Sequence, residues 1–274
     1  MNRIPNIYHL AVITFKEGIR NRALIGVFII SLVMMVINVT FINFFMRDLG
    51  KVSVDLGLST VSLAGLILVL FIGLNLISKD LDKKTIFLIL SRSVSRTQYL
   101  LGKFAGLMGL IIVSMAIVGL VSFLSVLVIK SFLAGVFFAK GFSWWTYFLA
   151  WAMSVVSLMT LTAVGFLFCT LTSHVFVAMV ITSLVYLIGQ SLPHIQELVL
   201  ARQQVLKVSD AMKVFIQILY YIMPNFSLFD LKLQAAHGLP VDPGHIFWAV
   251  LYGLVYTTVC LWLADLVFKK KEFV

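Results

Sequence analysis

Residues 79–103 read KDLDKKTIFLILSRSVSRTQYLLGK, and this stretch decides how the chain is read. It carries six of the 21 Lys and Arg residues, at Lys79, Lys83, Lys84, Arg92, Arg96 and Lys103. Long apolar runs flank it on both sides, and basic loops between apolar spans face the cytosol. Its middle has a different character, because Ile86, Phe87, Leu88, Ile89 and Leu90 follow one another without a polar residue. Apolar surface left in water is unfavourable in proportion to its area. A solvated linker has no use for such a run, so a cytosolic partner is expected to cover it.

Working outward, the chain of 274 residues is 61% hydrophobic and 12% charged, with a mean hydropathy of +1.08. Soluble domains carry about 25% charged residues. The composition therefore specifies an all-α integral membrane protein and excludes a soluble enzyme. The formal charge of +10 is a topology signal, since the cations sit at the ends of apolar runs, where they set orientation and meet anionic headgroups. No segment between the runs is large enough to read nucleic acid.

A span needs about 20 apolar residues. Six runs qualify, at about 23–45, 56–77, 96–129, 145–168, 175–192 and 246–268, the fifth expected to end at Pro193. Arg47, Asp48, Lys51 and Asp55 form a polar turn after the first. With both termini cytosolic, 13 Lys and Arg fall inside and 8 outside, as the positive-inside bias requires. The first run lacks a small-residue cleavage pattern, so it is read as a retained span. Residues 1–22 precede it as an amphipathic segment. Tyr8, Val12, Phe15 and Ile19 share one face, with His9, Lys16, Arg20 and Arg22 on or near the other. That is the pattern of a helix lying in the membrane interface.

Ser95 and Gln98, flanking Arg96, match a capping box that starts the third span. Gly102, Gly106 and Gly109 follow, at spacings that let another helix approach closely. Trp144, Trp145, Tyr147 and Trp151 read as an interfacial belt. Residues 193–245 read as amphipathic and extracytosolic, with Ser209 and Asp210 as a helix cap, Pro224 as a stop and Pro240–Gly244 as a turn. Any central path is offered Ser, Thr, Asn38, Asn43 and Asn75, with little charge.

Several chemistries are missing. Ion-coupled transporters place ionisable groups deep in the bilayer. Here the one acid read within a span is Asp265, spaced to pair with Lys269. There is no metalloprotease or serine-hydrolase motif and no GxxxxGK[ST] phosphate loop, so the chain has no ATPase machinery of its own. Cys169 and Cys260 read as inert apolar residues. The five histidines show no tight ligand spacing, and no metal or other cofactor is expected on this chain.

The segment Phe15–Arg22 resembles the elbow of ABC type-2 permeases, and so does the central stretch, where Asp80, Thr85, Val94, Ser95, Arg96, Leu101, Gly102 and Lys103 match the family pattern. Lys84 stands in place of the usual Gly and Ser93 in place of the usual Pro. Residues 224–230, PNFSLFD, and the basic C-terminus look like the branch linked to multicopper-enzyme maturation. The resemblance implies a single permease domain over 1–274, with an elbow helix (1–22) carrying Phe15, Lys16, Arg20 and Arg22. It also implies a cytosolic coupling helix within 79–95 and re-entrant helices before the sixth span. Asp80, Leu81, Asp82, Lys83, Lys84, Thr85, Phe87, Leu88 and Leu90 would dock into an ATPase groove, and Ser95, Arg96 and Gln98 would cap the helix beyond. The implied partners are two cytosolic ABC ATPase subunits holding ATP and Mg, a second permease copy or related chain, the lipid bilayer of the inner membrane, and a periplasmic protein. From the residues alone, two other readings stay open: a secondary transporter or channel working without ATP, and a membrane assembly protein that moves nothing.

Overall fold

A computed structural model of the chain describes residues 3–41, 49–82, 95–132, 138, 141–172, 174–201 and 210–270. Among these the fold is all helical, with no strand. The helices are α1 (Arg3–Ile19), α2 (Arg22–Phe41), α3 (Leu49–Ile67), α4 (Leu74–Asp82), α5 (Arg96–Phe132), α6 (Trp144–Leu171), α7 (Val175–Ala201), α8 (Asp210–Ile222), α9 (Lys232–His237) and α10 (Pro243–Lys270). Among the described residues, six helical stretches are long and apolar enough to cross a membrane: Arg22–Thr40, Gly50–Lys79, Arg96–Ser131, Trp144–Leu171, Val175–Gln196 and Pro243–Lys270. In lipid a spanning segment must satisfy its backbone internally, which is why such runs become helices.

The second crossing is one continuous rod made of α3, a π-helical turn at Leu68–Gly73, and α4. At its end the Leu74 amide donates to Val69 O, five residues back. The widened turn is buried except for Phe71, and turns of this kind recur at functional positions in helices. Lys51 and Asp55, expected in a polar turn, lie instead within α3. Its long apolar stretch carries the helix two turns further than the run itself. Pro193 also departs from expectation, since α7 continues through it to Ala201. A proline inside a helix loses one hydrogen bond and crowds the residue four before it. That residue is Gly189. A Cβ on Gly189 would run into Pro224 O and fall 2.8 Å from the Phe226 ring, so glycine here serves two contacts.

Glycines set the other close crossings. The Trp151 indole of α6 lies over Gly119 of α5 and donates to Met115 O at 3.0 Å. Leu74 fills the space over Gly165 of α6. Most Ser and Thr hydroxyls donate to the carbonyl one turn back, as Ser31, Thr162 and Thr182 do. They are spent within their own helices. Asn38, expected to face a central path, is 1% exposed and donates to Ser53 O at 3.1 Å, tying α2 to α3. Asn43 lies outside the described residues.

The end of the bundle away from α1 is closed by a broken segment. The stretches Val214–Ile222 and Phe226–His237 are bent by 54°. Helix α8 ends two residues before Pro224, a 3-10 turn at Phe226–Phe229 follows, and Gly238 at φ 64° terminates α9. Gly238 adopts the left-handed conformation that glycine tolerates best, and it packs directly against Gly141. Asp242 caps α10 by accepting from the Gly244 amide at 3.0 Å. Ser209 lies outside the described residues, as does the Asp210 side chain.

Candidate functional site

The chemistry-bearing residues gather at the end of the bundle that holds α1, α4 and the two ends of the 83–94 stretch. Helix α1 lies on the first turns of α5. A Cβ on Gly102 would fall 2.7 Å from Leu10 Cβ. A Cβ on Gly106 would fall 2.7 Å from Thr14 Cβ and 2.9 Å from Ala11 Cα, and closer still to Ala11 O. A Cβ on Gly109 would fall 3.5 Å from the Phe15 ring. The small residues therefore admit α1 itself, rather than another span, to backbone contact. Leu10 and Thr14 are buried along this seam, and the face with Tyr8 and Ile13, 65% and 60% exposed, points away from it.

One turn before the end of α1, Glu17 reaches both ends of the central stretch. Lys79 of α4 donates to its Oε1 at 3.0 Å, and Lys103 of α5 stands 3.6 Å from its Oε2. The two contacts differ in weight. The Lys79 side chain is half exposed, whereas that of Lys103 is 5% exposed. An exposed pair contributes about 0–1 kcal/mol, while removing one partner of a buried pair costs several times that. Glu17 is the one acid in a basic N-terminal segment. That isolation was a signal the sequence reading passed over.

Beyond the 83–94 stretch, Ser95 and Gln98 form a reciprocal cap. The Ser95 amide donates to Gln98 Oε1 at 3.0 Å, and the Gln98 amide donates to Ser95 Oγ at 3.2 Å. Arg96 crosses to the far end of α10 and donates to Phe268 O and Lys269 O, each at 2.9 Å. Tyr99 stacks on Phe268 at 6.0 Å between ring centres. A cation on the last carbonyls of a helix satisfies groups that have no partner inside it. Asp265 pairs with Lys269, as their spacing requires. The start of α5 is thus fastened to α1, α4 and α10 together.

Of the residues expected to dock a partner, Asp80, Leu81 and Asp82 form the last turn of α4. Lys83, Lys84, Thr85, Phe87, Leu88 and Leu90 lie outside the described residues. Lys16, Arg20 and Arg22 line a cavity between α1, α2 and α4, while Phe15 packs toward α5.

A second polar cluster sits at the opposite end. Ser62, Ser154, Ser157, Tyr186 and Gln190 surround a small recess closed by Asp230 and Lys232. Gln190 Nε2 donates to Asp230 Oδ2 at 2.9 Å, and the Lys232 amide donates to Asp230 Oδ1 at 3.2 Å. The 224–230 motif forms the plug. Phe226 and Phe229 are buried, and the Asn225 amide donates to Tyr252 Oη at 2.9 Å. The aromatic cluster expected as a belt divides. Trp145 is 75% exposed, whereas Trp144 joins Phe138 and Phe142 around Lys130 Nζ, at 5.1, 5.7 and 5.0 Å. That cage holds the chain's own cation. His237 and His245 contact the Leu233 and Leu228 carbonyl oxygens, and no group of metal-ligating side chains occurs among the described residues.

Six apolar spans, with a helix locked by glycines across the start of the third, define a membrane protein of a particular kind. The family described as ABC-2 family transporter protein matches the chain over residues 8–273. The chain belongs to the ABC-2 transporter family. No curated protein matches it. An ABC-2 domain is the membrane component of a transporter, and the family generally works with ABC ATPase partners in a lipid bilayer.

Proposed function

We propose that this ABC-2 protein is the permease subunit of an exporter in the inner membrane, with both termini in the cytosol. Two separate ATPase subunits bind it from that side, each holding ATP and Mg, and a second copy of the chain completes the membrane domain. The 80–90 segment is the docking element, with Phe87 and its apolar neighbours as the anchor, since interface energy concentrates on a few such residues. Lys83 and Lys84 orient it. Helix α1 is the elbow, and the bent 214–237 segment is re-entrant from the outer side.

The observation that carries this reading is the reach of Glu17 to both Lys79 and Lys103. A push delivered to the 83–94 stretch from the cytosol meets a base already tied to α1, α4 and α5. The Arg96 contacts extend that base to α10. Motion therefore passes to whole spans instead of being absorbed in a loop. The buried π-helical turn above α4 supplies a place where the second span flexes. The recess behind the 224–230 plug, lined by small hydroxyl and amide groups, is the outer end of the path in its closed form. The likeness to permeases linked to multicopper-enzyme maturation rests on that same plug and on the basic C-terminus.

The test is co-purification. Tagged protein extracted gently from its native host brings down an ATP-binding subunit, and Phe87→Asp loses it. Wild-type protein that comes down alone, or transport driven by an ion gradient without ATP, refutes the proposal.

A further inference from the structure

Between α1, α2 and α4 lies an open cavity of about 790 Å³. Lys16, Arg20, Arg22 and Lys79 line it, with Glu17 as the one acid among the described lining residues. Glu17 is already engaged by Lys79 and Lys103. Lys16, Arg20 and Arg22 are exposed, and among the described residues none of the three pairs with a carboxylate. Three such cations on one concavity leave an excess of positive charge there, which favours an anion. Asn21 and Asn75 add neutral amide groups to the same wall.

The surroundings specify which anion. Arg22 opens α2, and Ile25, Ile29, Val33 and Val36 continue its face at helical spacing. Those four are 60%, 58%, 52% and 58% exposed. Ile13 and Leu76 form the apolar part of the cavity wall. Cations at the foot of an apolar stripe fit a molecule with a charged phosphate and hydrocarbon tails. Basic pockets between helices on the cytosolic side of a membrane bind such headgroups. A soluble phosphate compound shares the headgroup chemistry but makes no use of the stripe.

We propose that this cavity is a binding site for the phosphate of an anionic phospholipid, held by Lys16, Arg20 and Arg22 with the acyl chains along α2. The inference rests on the membrane placement of α1 and α2 and not on ATP coupling, so loss of the ATPase partner leaves it standing.

The experiment uses full-length protein in a neutral detergent, titrated with dioleoylphosphatidylglycerol, dioleoylphosphatidylcholine or glycerol 3-phosphate, with bound lipid counted by native mass spectrometry. Phosphatidylglycerol binds to the wild type and phosphatidylcholine does so far more weakly. Each cation near an anionic surface is worth about fivefold in affinity, so Arg20→Gln/Arg22→Gln weakens phosphatidylglycerol roughly 25-fold. The Arg20→Lys/Arg22→Lys protein retains most of the binding, which separates lost charge from lost fold. Lys270→Gln, an exposed cation outside the cavity, has little effect. Equal loss in Lys270→Gln, or undiminished binding in the double Gln variant, overturns the site. Glycerol 3-phosphate binding as tightly as the lipid overturns the assignment to a lipid.

Discussion

Gly106→Ala tests whether α1 is fastened to α5 by backbone contact. The new methyl group would stand 2.7 Å from Thr14 Cβ and 2.9 Å from Ala11 Cα. Carbon atoms settle at about 3.5–4.0 Å, so α1 must retreat by about 1 Å. The nearest atoms belong to the α1 backbone, so no side chain can swing aside. Overpacking of this kind costs about 1–3 kcal/mol. Alanine regains about 0.5–1 kcal/mol over glycine in a helix. The net loss is centred on about 1 kcal/mol and reaches about 2.5. For a chain of this size, that lowers the unfolding midpoint by about 2–4 °C at the centre and by up to about 10 °C. Gly26→Ala is the matched control. No atom lies within 4 Å of a Cβ built there, so only the helix term remains and the midpoint rises by about 1–4 °C. Thermal unfolding of the purified full-length protein, followed by tryptophan fluorescence, reads both. Two substitutions of the same chemistry should move the midpoint in opposite directions. Equal shifts, or a rise in both, refute the packing of α1 on α5.

Asp230→Ala removes the acceptor of Gln190 and of the Lys232 amide. Leaving such groups unsatisfied costs about 1–3 kcal/mol, and protease sensitivity in 224–240 should rise while the spans stay protected. Arg96→Ala uncaps the end of α10, and amide exchange over the residues 266–270 should quicken by about tenfold, matching about 1–1.5 kcal/mol for the lost carbonyl contacts. Unchanged exchange there would mean that the Arg96 bonds add nothing to that helix end.

The six spans were legible in the sequence because hydrocarbon imposes length and apolarity on any crossing segment, and that constraint acts residue by residue. The capping residues Ser95 and Gln98 and the pairing of Asp265 with Lys269 were legible for the same reason, since their partners lie within one turn. Misreadings arose where a neighbour in space overrode a local rule. Pro193 reads as a stop, but α7 runs through it, one turn after a glycine that admits the Pro224 backbone. Asn38 reads as a path-lining polar group, but its partner is a carbonyl of another helix. The convergence of Lys16, Arg20 and Arg22 on one cavity, and of Lys79 and Lys103 on Glu17, could not be read from order along the chain. Sequence spacing settled which segments are long and apolar enough to cross the membrane and how α5 begins. Only the packing of α1 on α5 decided which charges meet, because residues 62 and 86 positions from Glu17 become its neighbours only when glycines let those two helices touch.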